Sequence, residues 1–190
     1  MLNHKLKITG GSLKSRSLSF NEAPTLKPTK SYIRESIFNI IGVNKDMTCL
    51  DLFSGSGILA AEAISRGMYR ATLVENNFKT CQKIHSEFRK LNICNYDLIH
   101  SNVFTFLKNH KNKSYEIIFI DPPFEMDYLS KTLRMLNEHG FLEENQYIYI
   151  EQNKKDHNPV LVSFISKTHN VLKDLSIGDV SYTIAKKRDK

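Results

Sequence analysis

Thr48-Cys49-Leu50-Asp51-Leu52-Phe53-Ser54-Gly55-Ser56-Gly57-Ile58-Leu59-Ala60 is the stretch that decides the fold of this chain. Thr48 to Leu52 reads as a buried strand, Ile58 to Ser65 as a helix ended by Gly67, and the glycines between them as the turn that joins the two. Such a turn lets backbone approach a ligand closely, and the helix that follows presents free N–H groups. The spacing of Gly55, Gly57 and Ala60 fits the dinucleotide fingerprint G-x-G-x-x-A, and Glu75 lies at a strand end 20 residues beyond Gly55. A carboxylate there can hold the two hydroxyls of a ribose, which belong equally to a nicotinamide dinucleotide and to S-adenosylmethionine. Asp51 tilts the choice toward the methyl donor. At the mouth of the loop an acid repels a pyrophosphate, whereas it can accept hydrogen bonds from the α-amino group of a methionine moiety. An NAD-dependent oxidoreductase is the alternative that the fingerprint keeps open.

Upstream of this stretch, the Pro-containing segment Ala23 to Thr29 is the one plausible hinge between an N-terminal arm and the rest of the chain. A helix follows, with Ser31 as its expected cap, Ile33, Ile37, Ile40 and Ile41 at helical spacing, and Gly42 as its stop. Downstream, strand and helix signals alternate. Strands are predicted over Ala71 to Val74, Asp97 to His100, Tyr115 to Ile120 and Gln146 to Ile150. Helices are predicted over Phe78 to Leu91, from Phe104 to Leu107 onward, and over Leu129 to Asn137. Two strand-like runs, Ser163 to Val171 and Val180 to Ala185, flank Ser176-Ile177-Gly178-Asp179 and predict a terminal antiparallel hairpin. Together these give a doubly wound, Rossmann-like α/β fold in one domain over residues 1–190, with a basic arm or hairpin at 1–29 and the core at 30–190.

Asp121-Pro122-Pro123-Phe124 ends the apolar strand Tyr115 to Ile120. Its two prolines impose a rigid, extended turn and remove two backbone donors, so that carbonyls and one carboxylate remain. A base amino group is a poor nucleophile, because its lone pair is delocalised into the ring. Asp121 and the Pro122 carbonyl can bind both of its hydrogens, and Phe124 can stack on the base, which is worth about 1–3 kcal/mol. The nitrogen is then held in line with a sulfonium methyl, and positioning carries most of the rate without a metal. A stacked base has to be extruded first. Asn102, at the carboxyl edge after the strand Asp97 to His100, can reach an adenine amino group, although Asn before a helix is commonly a cap. The acceptor turn by itself serves adenine N6 in DNA or RNA as well as other amines.

The bulk properties agree. With 190 residues and 41% hydrophobic content, one sizeable core is expected. The apolar runs are too short to span a bilayer, and no apolar signal segment follows His4, Lys5 and Lys7, so the expectation is a cytoplasmic chain without membrane contact. Cys49, Cys81 and Cys94 form no CxxC pair, and their odd number argues against a disulfide framework or zinc knuckle. The net charge is +7, and Met1 to Arg34 carries seven basic residues against Glu22 alone. Lys186-Lys187-Arg188 and Lys190 form a second basic cluster at the other end. Such asymmetry points to a polyanionic partner.

The chain resembles the bacterial ribosomal RNA small-subunit methyltransferase D family. The resemblance is carried by Ile8-Thr9-Gly10-Gly11 with Arg16, Pro28-Thr29, Arg34-Glu35-Ser36-Ile37-Phe38-Asn39 and Leu50 to Gly57. Glu62 to Gly67, Val74-Glu75, Ser101-Asn102, Asp121 to Phe124 and Ile148-Tyr149-Ile150-Glu151 continue it. The resemblance implies a seven-stranded, mostly parallel sheet whose final strand is reversed. It implies methylation of a guanine N2 of 16S ribosomal RNA, in a 30S subunit or an assembly intermediate, by a monomer that converts S-adenosyl-L-methionine to S-adenosyl-L-homocysteine. It places the donor at Asp51, Gly55, Gly57, Glu75 and Asn102, with Phe53, Asn76 and Val103 beside them as candidate contacts. Base capture falls to Asp121, Pro122, Pro123 and Phe124, and phosphate contacts to Lys7, Lys14, Arg16, Lys27 and Arg34. Where the family usually carries an acidic and then a basic residue before the Arg-Glu pair, this chain has Ser31-Tyr32.

Overall fold

A computed structural model describes residues 3–21, 28–111, 113–123, 127–155 and 159–189. Strands β1 (Asn3–Lys7) and β2 (Ser17–Asn21) form an antiparallel hairpin, followed by α1 (Ser31–Ile41). The alternating core then runs β3 (Thr48–Asp51), α2 (Ile58–Ser65), β4 (Arg70–Glu75), α3 (Phe78–Lys90), β5 (Tyr96–His100), α4 (Val103–Asn109), β6 (Ile117–Ile120), α5 (Tyr128–Glu138) and β7 (Tyr147–Asn153). It closes with α6 (Pro159–Thr168), β8 (His169–Ile177) and β9 (Val180–Lys187). Seven strands form one sheet in the order β5-β4-β3-β6-β7-β9-β8. The pairs among β3 to β7 are parallel, whereas β9 is antiparallel to both of its neighbours. The reversed strand is thus the last in the chain but lies one in from the edge, with β8 outside it.

Strand alternation sorts the core into two layers. Cys49, Ile117, Phe119 and Tyr149 face one side, with Ile33, Ile37 and Phe38 of α1, Ala60 of α2 and Phe88 of α3. Leu50, Ile118, Ile120 and Ile148 face the other, with Phe106 of α4, Leu133 of α5 and Ile165 of α6. The order of connections reverses between β3 and β6, which opens a crevice at the carboxyl ends of those strands, where α/β sheets bind ligands. Among the described residues no helix is long and apolar enough to cross a membrane.

The N-terminal hairpin is stitched to the core by its backbone. Ser65 Oγ donates to the Gly10 carbonyl and accepts from the Leu13 amide, while the Ser12 amide reaches the Ser65 carbonyl. Gly11, at φ 78°, makes this approach possible, since a Cβ there would lie 1.8 Å from the Ser65 carbonyl oxygen.

Two expectations are corrected. Ser163 to Val171 is not one strand, because α6 continues to Thr168 and β8 begins at His169. Leu161 and Ile165 sit four apart and pack together into the core, so tertiary burial selects the helical period over the β-branched composition. Ser31 does not cap α1. The extended residue at the cap position is Lys30, with φ −64° and ψ 148°, and its carbonyl already accepts the amides of Ile33 and Arg34. Gly42 closes the helix in the left-handed conformation, as the sequence predicts.

Candidate functional site

Strands β3, β4, β5 and β6 end around a cavity of about 300 Å³. Its lining runs from Pro28 and Thr29 through Phe53, Gly55 and Ser56, then Glu75, Asn76, Asn102 and Val103, to Asp121, Pro122, Pro123 and Tyr128. Sequence spacing brought most of the predicted residues to one place, and the structure sorts them by what they touch.

The glycine turn is built from the inside. Ser54 Oγ donates to the Asp51 carbonyl, the Gly57 amide to the Ser54 carbonyl, and the Ser54 amide to Val74 on the neighbouring strand. Glu75 finishes the turn, with one carboxylate oxygen accepting the Gly55 amide at 2.9 Å and the other the Asn77 amide at 2.8 Å. Gly57 stands behind the cavity wall at φ 75°, and a Cβ there would press on Phe88 and Ile84 at 3.2–3.3 Å. It is needed for packing α2 onto α3, and it does not line the cavity. Asn102 caps α4, its side-chain oxygen accepting the Phe104 amide, so that oxygen is engaged and only the amide nitrogen is left to face a ligand.

Asp51 lies beneath the floor of the cavity, 2% exposed, instead of at the mouth of the loop. Its Oδ2 is buried without a hydrogen-bond partner. Burial pushes the carboxyl up to about 7, with the Glu75 charge adding to the rise and the Phe53 amide opposing it. An unpaired buried carboxylate oxygen is costly unless a donor arrives, so the site fits a ligand that brings a cationic amine.

On the other side of the cavity Asp121 follows directly on β6, where the sheet register pairs Ile120 with Ile150. Glu151, the next residue on β7, therefore stands beside Asp121 at the same level. It is 3% exposed and accepts the Tyr149 hydroxyl. Both carboxyls are pushed above their usual range, chiefly by burial, and Asp121 also by the charges of Glu151 and Asp51. Thr29, 1% exposed, has a hydroxyl oxygen without a partner in hydrogen-bonding geometry, although it lies close enough to favour the charged form of both acids. Thr29 and Glu151 escaped the sequence-based choice of site residues, as did Tyr128, whose ring lies against Phe104 and Phe53 at centroid distances of 5.3 and 6.2 Å. For Glu151 a signal was available, namely an acid at the carboxyl end of a buried strand. Phe124 lies outside the described residues.

Of the predicted phosphate contacts, Lys7, Lys14 and Arg16 are exposed on the hairpin, and Lys27 lies outside the described residues. Arg34 is a correction. It is 1% exposed, with its Nε 3.0 Å from Glu62 and its terminal nitrogens donating to the carbonyls of Thr29 and Lys7. A guanidinium used up in this way cannot reach a phosphate. It binds the hairpin, the segment that lines the cavity and the helix after the glycine turn to one another.

The sequence profile of the family described as Conserved hypothetical protein 95 matches residues 6–185. Ribosomal RNA small subunit methyltransferase D of Buchnera aphidicola subsp. Acyrthosiphon pisum is 42% identical over 154 residues, covering 80% of this chain and 81% of the relative. The protein of the same name from Escherichia coli K12 is 34% identical over 83% of this chain and 79% of its own length. The solved structure of the Escherichia coli protein yhhF superposes with a TM-score of 0.84 at 28% identity, covering 98% of this chain and all of that one. Motifs, topology and relatives converge, and the chain belongs to the ribosomal RNA small subunit methyltransferase D family.

Proposed function

We propose that this protein transfers the methyl group of S-adenosylmethionine to the exocyclic N2 of a guanine in 16S ribosomal RNA. The observation that carries the reading is the acceptor-only turn Asp121-Pro122-Pro123 on the wall of the same cavity as the glycine turn and Glu75. When bound, the donor supplies an electrophilic methyl on a sulfonium centre. In this reading Glu75 takes the ribose, Asn76, Asn102 and Val103 the adenine side, and the unpaired Asp51 oxygen the ammonium of the methionine end. Asp121 and the Pro122 carbonyl accept the two amine hydrogens and so fix the direction of the nitrogen lone pair. Exposed Lys7, Lys14 and Arg16 give the hairpin the charge to hold the phosphate backbone. The names of the relatives support small-subunit ribosomal RNA as the substrate. The protein acts as a monomer in the cytoplasm, on RNA within the 30S particle or its precursor.

The test is incubation of the protein with 30S particles lacking this methylation and with labelled donor, followed by nucleoside analysis. N2-methylguanosine is expected. N6-methyladenosine would overturn the substrate, and no label in RNA would overturn the activity. Binding of NADH with no binding of S-adenosylmethionine or S-adenosylhomocysteine would overturn the cofactor.

A further inference from the structure

The acceptor side of the cavity contains more acid than base capture requires. Asp121 and Glu151 follow paired residues on adjacent parallel strands, so both side chains leave the sheet on the same face, the one that carries α1 and α2. Asp51 ends β3 on that face too, one strand further along. Strands β3, β6, β7 and β9 and the segment ahead of α1 supply the groups around Glu151. Asp121 stands beside it on β6, and Asp51 beyond that on β3. Tyr149, two residues back on β7, donates its hydroxyl to Glu151 Oε2, and Tyr182 sits opposite Glu151 in the β7–β9 register. Thr29 and Lys30 come from the segment ahead of α1, and the Lys30 charge favours the ionised form of Glu151. Lys30 itself is exposed, with its Nζ beside Gly178 in the β8–β9 turn. Its charge is therefore applied from the rim and largely screened.

Two carboxyls this close, in a buried setting where Lys30 is the one outer cation acting on Glu151 among the described residues, oppose each other's ionisation. The hydrogen bonding decides which one holds the charge. Glu151 receives the Tyr149 hydroxyl and faces Lys30, while the buried Thr29 hydroxyl is committed to neither acid. Asp121 borders the cavity, where a base amino group would stand.

We infer that Glu151 is a positioning residue that shares one proton with Asp121, and so sets the pH at which Asp121 becomes the ionised acceptor of the substrate amine. This rests on the methyltransferase reading for its purpose but not for its test. In the reaction a bond forms between the base nitrogen and the methyl carbon as the methyl–sulfur bond breaks, and the bonding pair leaves with sulfur. The nitrogen then holds one proton too many. The ionised Asp121 takes that proton, and the pair ends the step with one negative charge fewer than it began with. Product release returns the proton to water through the cavity.

The consequence is a sign that a merely structural role would not produce. Glu151→Gln keeps the shape and can still accept the Tyr149 hydroxyl, but it removes the neighbouring charge. The Asp121 carboxyl should then ionise more readily. Titration of the ligand-free protein, followed by the carboxyl carbon resonance of Asp121 with ¹³C-labelled aspartate, should move to lower pH by about one unit or more. In single-turnover methylation the acidic limb of the pH profile should move the same way. Tyr149→Phe removes the hydroxyl that holds the charge on Glu151, so it should move the Asp121 titration in the same direction by a smaller amount, and it serves if the Gln variant does not fold. An Asp121 titration that stays where it is in a folded Glu151→Gln protein overturns the inference, whether or not the protein methylates RNA. If the titration moves but no RNA is labelled, the carboxyl pair stands and the proposed activity is what fails.

Discussion

The two walls of the cavity handle their carboxylates in opposite ways. On the wall formed by β3, β4 and β5, both carboxylate oxygens of Glu75 are held, by the amides of Gly55 and Asn77. Apart from the unpartnered Oδ2 of Asp51, that wall is finished before any ligand arrives. On the wall formed by β6 and β7, Asp121 and Glu151 crowd together, and the Thr29 hydroxyl between them lacks a partner. This second wall is electrostatically incomplete, and only an incoming group with hydrogens to give can complete it. A rigid half that selects a common donor and a half left unsatisfied for the acceptor is the expected division where positioning supplies the rate.

Removing the acceptor should break the contrast most sharply. Asp121→Ala should lower the single-turnover methylation rate by about a thousandfold, in line with the loss of a preorganised polar contact plus orientation. Donor affinity measured by calorimetry should stay within about twofold. A parallel loss of donor binding would mean that the walls are not separable. Next in size is the hub behind both walls. Arg34→Met should destabilise the protein by about 3–5 kcal/mol in denaturant unfolding, because it takes the buried close partner from Glu62, leaving Arg66 at 3.5 Å as its cation, and strips the Thr29 and Lys7 carbonyls of their donor. A loss under about 1 kcal/mol, the value of a surface pair, would refute this role.

Smaller effects test the finished wall. Gly57→Ala should cost about 1–2 kcal/mol, from the left-handed φ and the pressure on Phe88 and Ile84, and should show as a lower unfolding midpoint. Asp51 supplies the pH test. Its carboxyl titrates near 7 in the folded protein and near 4 when unfolded, so the folded state binds the extra proton between those values. Its contribution to stability is therefore greatest at low pH, falls as pH rises from about 4 to about 7, and is flat above. Asp51→Asn should flatten that part of the curve of unfolding free energy against pH. If the slope survives the substitution, another group is responsible.

Much of this was legible in the sequence, because strand ends and glycines are local signals. The turn from Asp51 to Gly57 and the acid at Glu75 were placed correctly by spacing alone, and so was Asp121 at the end of an apolar run. What spacing cannot show is depth. Asp51 was expected at the rim and lies under the floor, and Gly57 was expected against the ligand and packs on α3. Arg34 carried the same charge as its exposed neighbours, and only the partners brought from residues 7, 29 and 62 show that it is structural. Glu151 was missed for the converse reason, since the role proposed for it comes from the strand beside it. The helix of residues 159–168 was missed because a short apolar run with β-branched residues satisfies both periods until its neighbours are known.

The docking of the N-terminal hairpin also sets an order of events during synthesis. Thr9 bonds to Glu62, 53 residues later, and the Ser19 amide to Glu87, 68 residues later. Synthesis at about 5–20 residues per second keeps the hairpin waiting on the order of several seconds for its docking surface. The hairpin, with its exposed Lys7, Lys14 and Arg16, is made first and seated late, so the surface proposed to hold RNA is completed only after the scaffold of the glycine turn has folded.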